Sequence, residues 1–234
     1  MQQESVLYLI IIAAIGLAAL GLNHFISRRE HAAEVKQERL KDLRTQTFHI
    51  LDTITALKAA GCKNDILDRL NQHAMVLIEE VSMLAPDSDL MTQVNNQKET
   101  ADRTMPSHTQ FTSDKELKKF QIYVNYTEKL LKKMLAKGKI SPIQARNYGQ
   151  ELYWLNISVV ADAHIMQAKM LLESGDKLIA LSHLKHAKAV VVRAMVAQHL
   201  KQPKLNEIQP LIKELEPKRS SYGGTLEDSI SDIN

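Results

Sequence analysis

Cysteine is nearly absent from this sequence, in which Cys62 is the single thiol among 234 residues. One thiol cannot form a disulfide within the chain, which fits a reducing compartment, and it excludes zinc sites built from cysteine pairs. Glycine and proline are also few, with eight and six residues, and alternating β-branched stretches are rare. These absences argue against a β-sheet protein and indicate a helical one.

The sequence motifs of common enzyme classes are missing as well. There is no glycine-rich phosphate loop, no G-x-S-x-G and no H-E-x-x-H. His183 and His186 lie three residues apart, a spacing that can place two metal ligands on one helix face. No acidic residue occurs between Lys177 and Lys204 to complete such a site. We therefore expect no catalytic, cofactor or metal site.

One long apolar run is present, near the start of the sequence. Val6 to Leu22 are 17 residues without a charge, and residues 23–26 extend the run to about 31 Å as a helix, close to the hydrocarbon thickness of a bilayer. Glu4 precedes the run and no lysine or arginine does, unlike the start of a cleaved secretory signal. We therefore predict a retained transmembrane helix over residues 6–26 after a short external N-terminus, residues 1–5.

Cations on the C-terminal side of this run predict its orientation. The six nearest are Arg28, Arg29, Lys36, Arg39, Lys41 and Arg44. The positive-inside rule then places the rest of the chain in the cytoplasm, as a single-pass protein of a bacterial-type inner membrane. Ala14, Ala18 and Gly21 share one face of the predicted membrane helix and could pack against a second copy. The alternative is that small residues are simply common in membrane segments.

Beyond the run, apolar residues recur at alternating steps of three and four. One seam occupies residues 40–57 and a second occupies residues 66–84. Gly61 lies between them and permits the left-handed turn that ends a helix. We predict a stalk helix followed by an antiparallel, coiled-coil-like hairpin over residues 27–85.

The rest of the chain is predicted to hold a linker, a second helical region and a tail. Residues 86–112 are polar and lack an apolar period, which is typical of a flexible linker. Helix start signals at Ser113 and Ser141 predict a helical bundle over residues 113–216. Residues 217–234 are polar and acidic at their end, which predicts a flexible tail. The predicted fold class is therefore all-α.

The stretch HIMQAKMLLESGDKLIALSHLKHAKAVV resembles a tetratricopeptide repeat, a pair of helices with small residues where the two helices meet. The resemblance covers about residues 161–192; Gln167 replaces an apolar residue of the family, and no second copy at a period of about 34 residues is present. It implies a helical hairpin and a surface that binds peptides or proteins. The predicted partner-binding residues are Ala168, Leu171, Ala180, Leu184, Lys185, Ala187 and Lys188.

Lysine is concentrated in residues 114–139, which hold eight lysines against three acids. Such a segment attracts the phosphates of nucleic acid or of anionic lipid headgroups. Phe120, Tyr123 and Tyr126 interleave with the lysines as on a base-stacking surface, but the same spacing is typical of a buried stripe behind a solvated lysine face. All three interpretations stay open here, and the solvated face is favoured. The predicted basic surface consists of Lys115, Lys118, Lys119, Lys129, Lys132 and Lys133.

Together these features favour a binding protein over an enzyme. The leading hypothesis is an inner-membrane adaptor or scaffold, working as a dimer, whose cytoplasmic helices bind other proteins. The alternative is a membrane-tethered protein whose lysine-rich helices bind anionic lipid or nucleic acid, with nucleic acid the less favoured ligand. The expected partners are other proteins, the lipid bilayer and a second copy of the chain.

Overall fold

Seven α-helices make up the part of the chain that the computed structural model describes, which is residues 2–86, 89–105, 111 and 113–216. The side chains of residues 2–23, 25, 26 and 32 lie outside this description. The helices are α1 (Gln2–Ala59), α2 (Asn64–Leu84), α3 (Asp89–Arg103), α4 (Asp114–Ala136), α5 (Pro142–Glu173), α6 (Lys177–Arg193) and α7 (Gln198–Leu215). No strand occurs in these ranges, which confirms the predicted all-α class.

The predicted membrane anchor lies at the start of α1. Among the residues whose side chains the structure describes, no helix is both long enough and apolar enough to cross a membrane, and apart from His24 residues 6–26 are not among them. The transmembrane helix predicted over residues 6–26 therefore gains no support from the structure and stays a prediction. The side chains of its dimer face, Ala14, Ala18 and Gly21, lie outside the described part of the chain.

The chain divides into two compact units. Unit 1 comprises Met1–Thr55 and Asn64–Thr104, and unit 2 comprises Ala56–Lys63 and Met105–Asn234. The last turn of α1 and the turn after it therefore belong to unit 2, although the rest of α1 belongs to unit 1. The passage from Thr104 to Met105 falls inside the stretch 86–112 that was predicted to separate two regions, whereas the segment 27–85, predicted as one piece, contributes residues 56–63 to unit 2.

Unit 1 packs α1, α2 and α3 around an apolar core. The α1 seam is buried at Leu43, Ile50 and Ile54, which are at most 2% exposed, and α2 buries Leu70 and Val81 against it. Steps of three and four place these side chains on one face of each helix. The burial of these two seams is what the sequence pattern predicted.

Polar contacts along unit 1 define the directions of its helices. Arg39 on α1 forms an ion pair with Glu80 near the end of α2, so these two helices are antiparallel. Arg44 Nη2 donates to Gln93 Oε1 of α3 over 3.1 Å. Further along both helices, the Gln97 amide donates to the Asp52 carboxylate. Helix α3 therefore runs parallel to α1.

The predicted linker over residues 86–112 is wrong for most of its length. Asp89–Arg103 is a helix of 15 residues, and it buries Val94 and Ala101. These two residues are seven positions apart and so lie on one helix face, and apart from the half-buried Leu90 and Met91 the rest of α3 is mostly polar. Positions 87, 88, 106–110 and 112 of the predicted linker lie outside the described residues.

Unit 2 contains α4 to α7. The Ser113 hydroxyl accepts from the Glu116 N–H and the Glu116 carboxylate accepts from the Ser113 N–H, at 3.2 and 3.1 Å, which forms a capping box at the start of α4. Ser141 and Gln144 form the same motif at the start of α5, with Pro142 in the first turn. Both predicted helix starts are confirmed.

The core of unit 2 lies mainly between α5, α6 and α7. Its buried side chains are Ala161, Ile165, Ala168, Ala180, Leu184, Ala187, Val191, Leu205, Ile208 and Ile212. Four of these ten are alanines on α5 and α6, which lets the two helix backbones approach each other closely. Helix α4 packs on α5 and buries its own stripe around Phe120.

Candidate binding surfaces

The residues assigned to partner binding lie mostly inside unit 2. Ala168, Ala180, Leu184 and Ala187 are fully buried, and Leu171 is half-buried beside them. Their side chains hold α5, α6 and α7 together and are not available to a partner. The spacing located the contact between two helices of the hairpin correctly, but the partner-binding role given to these residues is corrected by their burial.

The two predicted partner-binding lysines are placed differently. Lys185 is exposed, and its Nζ lies 3.0 Å from Glu216 Oε1 just after α7. Lys188 is half-buried. Of the seven predicted residues, Lys185 is the one that is exposed.

The side of α6 opposite its core carries a second stripe, which we call the α6 outer face. Its members recur at steps of four and three, and they are Leu178, Ser182, Lys185, Ala189 and Val192. Leu178 is 83% exposed and Val192 is 51% exposed. Ser182, Lys185 and Ala189 separate these two apolar residues, and the two small ones leave room for the side chains of another helix.

Six lysines occupy one side of α4, and we call this surface the α4 lysine face. Its members are Lys115, Lys118, Lys119, Lys129, Lys132 and Lys133, all exposed. At 100° per residue they fall within an arc of about 140°, along a helix about 34 Å long. None of them forms an ion pair with another residue in the described part of the chain. The structure thus brings the whole predicted basic surface together.

The aromatic residues of α4 do not form a base-stacking surface. Phe120 is 1% exposed and Tyr123 is 7% exposed. Tyr126 is half-buried, and burial raises the pKa of its hydroxyl. The Lys119 ammonium lies 5.7 Å from the centroid of the Tyr123 ring, so that ring is already covered by a side chain of its own helix.

Unit 2 also contains a cleft of about 590 Å³. Its apolar lining comes from α5 and α7, at Trp154, Val159, Leu200 and Pro203, and the turn after α1 contributes Cys62. Burial raises the pKa of the Cys62 thiol to about 12. The thiol is therefore protonated at neutral pH, which makes it a poor nucleophile and a poor metal ligand.

Two ion pairs line this cleft. Lys63 pairs with Glu151, and Lys204 pairs with Asp162. Burial alone would lower the pKa of Lys204, but the hydrogen bond to Asp162 and the charges of Asp162 and Glu207 raise it. Lys204 is therefore a permanently charged partner of Asp162, and each lysine of the wall has a carboxylate beside it.

Three histidines from two helices meet in unit 2. Nδ1 of His164 on α5 lies 3.0 Å from Nδ1 of His183 on α6, and the His186 ring centroid lies 4.4 Å from that of His164. The sequence pattern identified His183 and His186 but missed His164. A hydrogen bond between two imidazole rings requires that at least one of them be neutral. Within the described ranges, no group of three or more histidine, cysteine or acidic side chains is arranged to hold a metal ion.

No protein-family model, curated protein or solved structure matches the chain. The tetratricopeptide resemblance therefore stays an interpretation of the sequence. A functional assignment has to come from the surfaces of the molecule itself.

Proposed function

We propose that the chain is an adaptor held at a membrane, whose cytoplasmic helical part binds a helix of another protein through the α6 outer face. The observation that carries this proposal is the solvent exposure of Leu178 and Val192 on a helix whose other side is fully packed. Burying an exposed leucine or valine side chain contributes about 1.5–3 kcal/mol. A partner that buries these two side chains therefore gains favourable binding free energy, because folding of the chain leaves them exposed.

The form of the α6 outer face suits a partner helix. Ser182 and Ala189 are small and lie between the two apolar residues, so the backbone of a partner can come close. Lys185 lies between the two apolar residues, but its charge is already paired with Glu216, so Leu178 and Val192 provide the contact with the partner. The resemblance to a tetratricopeptide hairpin supports the same role, because such hairpins bind peptides and proteins.

The membrane part of the proposal rests on the sequence. The apolar run over residues 6–26 is long enough to span a bilayer, and the cations after it favour a cytoplasmic location of both units. A dimer formed through Ala14, Ala18 and Gly21 would present two α6 outer faces to one assembly. Two weak contacts made at once bind more tightly than either one alone.

A photo-reactive amino acid at Ser182 of the full-length chain tests partner binding in native membranes. We expect a discrete cross-linked product that disappears in the Leu178→Glu and Val192→Glu variants. Ile143 at the start of α5 is 73% exposed, so Ile143→Glu is a matched control that should keep the product. Equal cross-linking in all variants, or none, would contradict binding through α6.

Anchoring is tested separately by fractionation of lysed cells. We expect the full-length chain in the membrane pellet, resistant to alkaline carbonate, and a chain lacking residues 1–27 in the supernatant. A reporter fused after Asn234 should be active only if it is a cytoplasmic reporter. An exported reporter would overturn the proposed orientation.

A further inference from the structure

We propose that the α4 lysine face binds anionic phospholipid headgroups of the membrane that holds the chain. This inference deepens the proposed function and rests on its membrane anchor. It assigns α4 a binding role that is distinct from that of α6, since it uses charge where α6 uses apolar contact.

The first support is the uniform charge of the α4 lysine face. The acids of α4 are Asp114, Glu116 and Glu128. Glu116 and Glu128 lie outside the lysine arc, and Asp114 lies at its edge in the first turn. Lys137 and Lys139 follow the helix and are exposed too, so the positive charge continues past its end. An anionic membrane surface that faces these lysines would therefore meet no carboxylate along most of the α4 lysine face.

The second support is the exposed apolar residue within the α4 lysine face. Ile122 is 58% exposed and lies near the middle of the lysine arc, and the half-buried Tyr126 lies one turn further along. An amphipathic helix on a bilayer surface places apolar side chains among the acyl chains and its lysines at the phosphates. Ile122 is therefore placed to enter the acyl region while the lysines on both sides of it stay at the headgroups.

The same surface is less suited to nucleic acid. Phe120 and Tyr123, which could stack on bases, are buried. All cations of α4 are lysines, and α4 has no arginine to make two parallel hydrogen bonds to one phosphate or guanine. Lysines act as point charges, which is sufficient for headgroups that diffuse freely in a plane.

A dye that responds to its environment can report the contact in the full-length chain. Cys62→Ala removes the native thiol, and Asn125→Cys places the dye on the exposed lysine arc. The protein is reconstituted into vesicles of phosphatidylcholine alone or mixed with phosphatidylglycerol. We expect a blue shift of the dye emission only with phosphatidylglycerol, and its loss at high salt.

Two quadruple variants make the test specific. Changing Lys118, Lys119, Lys129 and Lys133 to glutamine should abolish the shift, since each lysine contributes about fivefold to the affinity for an anionic surface. Changing Lys169, Lys177, Arg193 and Lys213 to glutamine removes the same charge from exposed positions of unit 2 outside α4 and should leave the shift intact. Circular dichroism confirms that both variants remain helical.

The outcomes separate this inference from the proposed function. A chain that floats with the vesicles but shows no shift, or an equal shift in both variants, overturns lipid binding and leaves the anchor standing. A chain that does not float overturns the anchor itself. Retention of double-stranded DNA or RNA on neutral vesicles, lost in the α4 variant, would replace the lipid with nucleic acid.

Discussion

Thr47 is a buried hydroxyl in the apolar seam of α1. It is fully buried, and its Oγ1 has no hydrogen-bond partner among the described residues. Valine has the same shape without the polar atom, so we expect Thr47→Val to raise the free energy of unfolding of unit 1 by about 1 kcal/mol. Urea denaturation followed by circular dichroism measures this change.

Thr53 is the matched control for this substitution. It is equally buried, but its hydroxyl donates to the His49 carbonyl over 2.7 Å. Thr53→Val removes a satisfied group and should give no gain. If both variants change stability equally, the unpaired hydroxyl of Thr47 is not the cause.

The His164 ring predicts a pH dependence of unit 2. Burial lowers its pKa, the neighbouring His186 and His183 lower it further, and Asp114 and the hydrogen bond to Gln167 act in the opposite direction. The folded state therefore binds fewer protons than the unfolded state, whose histidine pKa is about 6.5. The contribution of neutral His164 to the free energy of unfolding is fully present above the pKa of the unfolded state. It is lost as the pH falls through the lowered pKa of the folded state.

Unfolding of the full-length chain at pH 7 and pH 5 measures this effect. Trp154 is the single tryptophan and lies in unit 2, so its fluorescence follows that unit. We expect unit 2 to be less stable at pH 5 and the difference to shrink in His164→Gln. The exposed His199 gives the control, and His199→Gln should leave the difference unchanged. An undiminished difference in His164→Gln would contradict the role of the cluster.

The sequence could locate residues better than it could assign their roles. The spacing of Ala168, Ala180 and Ala187 identified a close helix contact, and these residues are fully buried. The same spacing is expected for a surface that accepts a partner helix, because both uses need small residues on one face. Only burial in the folded chain distinguishes the two.

At the scale of the helix, alanine substitutions at two glycines, one inside α5 and one in the turn after it, are expected to change stability in opposite directions. Gly149 lies inside α5, and a Cβ there would contact nothing within 4 Å. Gly175 ends the helix with φ of +90°, a conformation that other residues rarely adopt. We expect Gly149→Ala to stabilise unit 2 by about 0.5–1 kcal/mol and Gly175→Ala to destabilise it by a similar amount.

Thermal or urea unfolding followed by Trp154 fluorescence compares these two glycine variants directly. They have the same change in composition, so each serves as the control of the other. A gain at both positions would mean that the left-handed turn at Gly175 is not required. A loss at both would mean that Gly149 has a packing role.

Helix α3 shows why one element was missed. Its sequence DLMTQVNNQKETADR is mostly polar, and a window of this composition contains no sustained apolar period. Val94 and Ala101 are its two fully buried residues, with Leu90 and Met91 half-buried, and Gln93 and Gln97 add hydrogen bonds to α1. Tertiary contacts of this kind do not show in the local pattern.

The histidine cluster was missed for a different reason, and here the sequence did contain a signal. His164 lies 11 residues before Gly175 and His186 lies 11 residues after it. Residues equidistant from the turn of an antiparallel hairpin face each other. Once the hairpin is predicted, this symmetry predicts the contact between the two rings.

At the scale of the whole molecule, the boundary between the two units was the least predictable feature. The polar stretch taken as the boundary does contain the passage from Thr104 to Met105, but α1 contributes Gln2–Thr55 to unit 1 and its last turn to unit 2 without a break in the helix. Where the packing partners of a continuous helix change, its sequence contains no helix-ending signal that would indicate the change. The linker composition that signals most boundaries is absent there.

This division predicts that the two units unfold as separate cooperative transitions. Each has its own buried core, so a substitution in one core should shift one transition only. We expect Thr47→Val to move the circular dichroism transition of unit 1 and leave the Trp154 fluorescence transition unchanged, and Gly149→Ala to do the reverse. If both probes shift together in either variant, the helix that enters both units couples them into a single cooperative structure, and partner binding at α6 would then stabilise unit 1 as well.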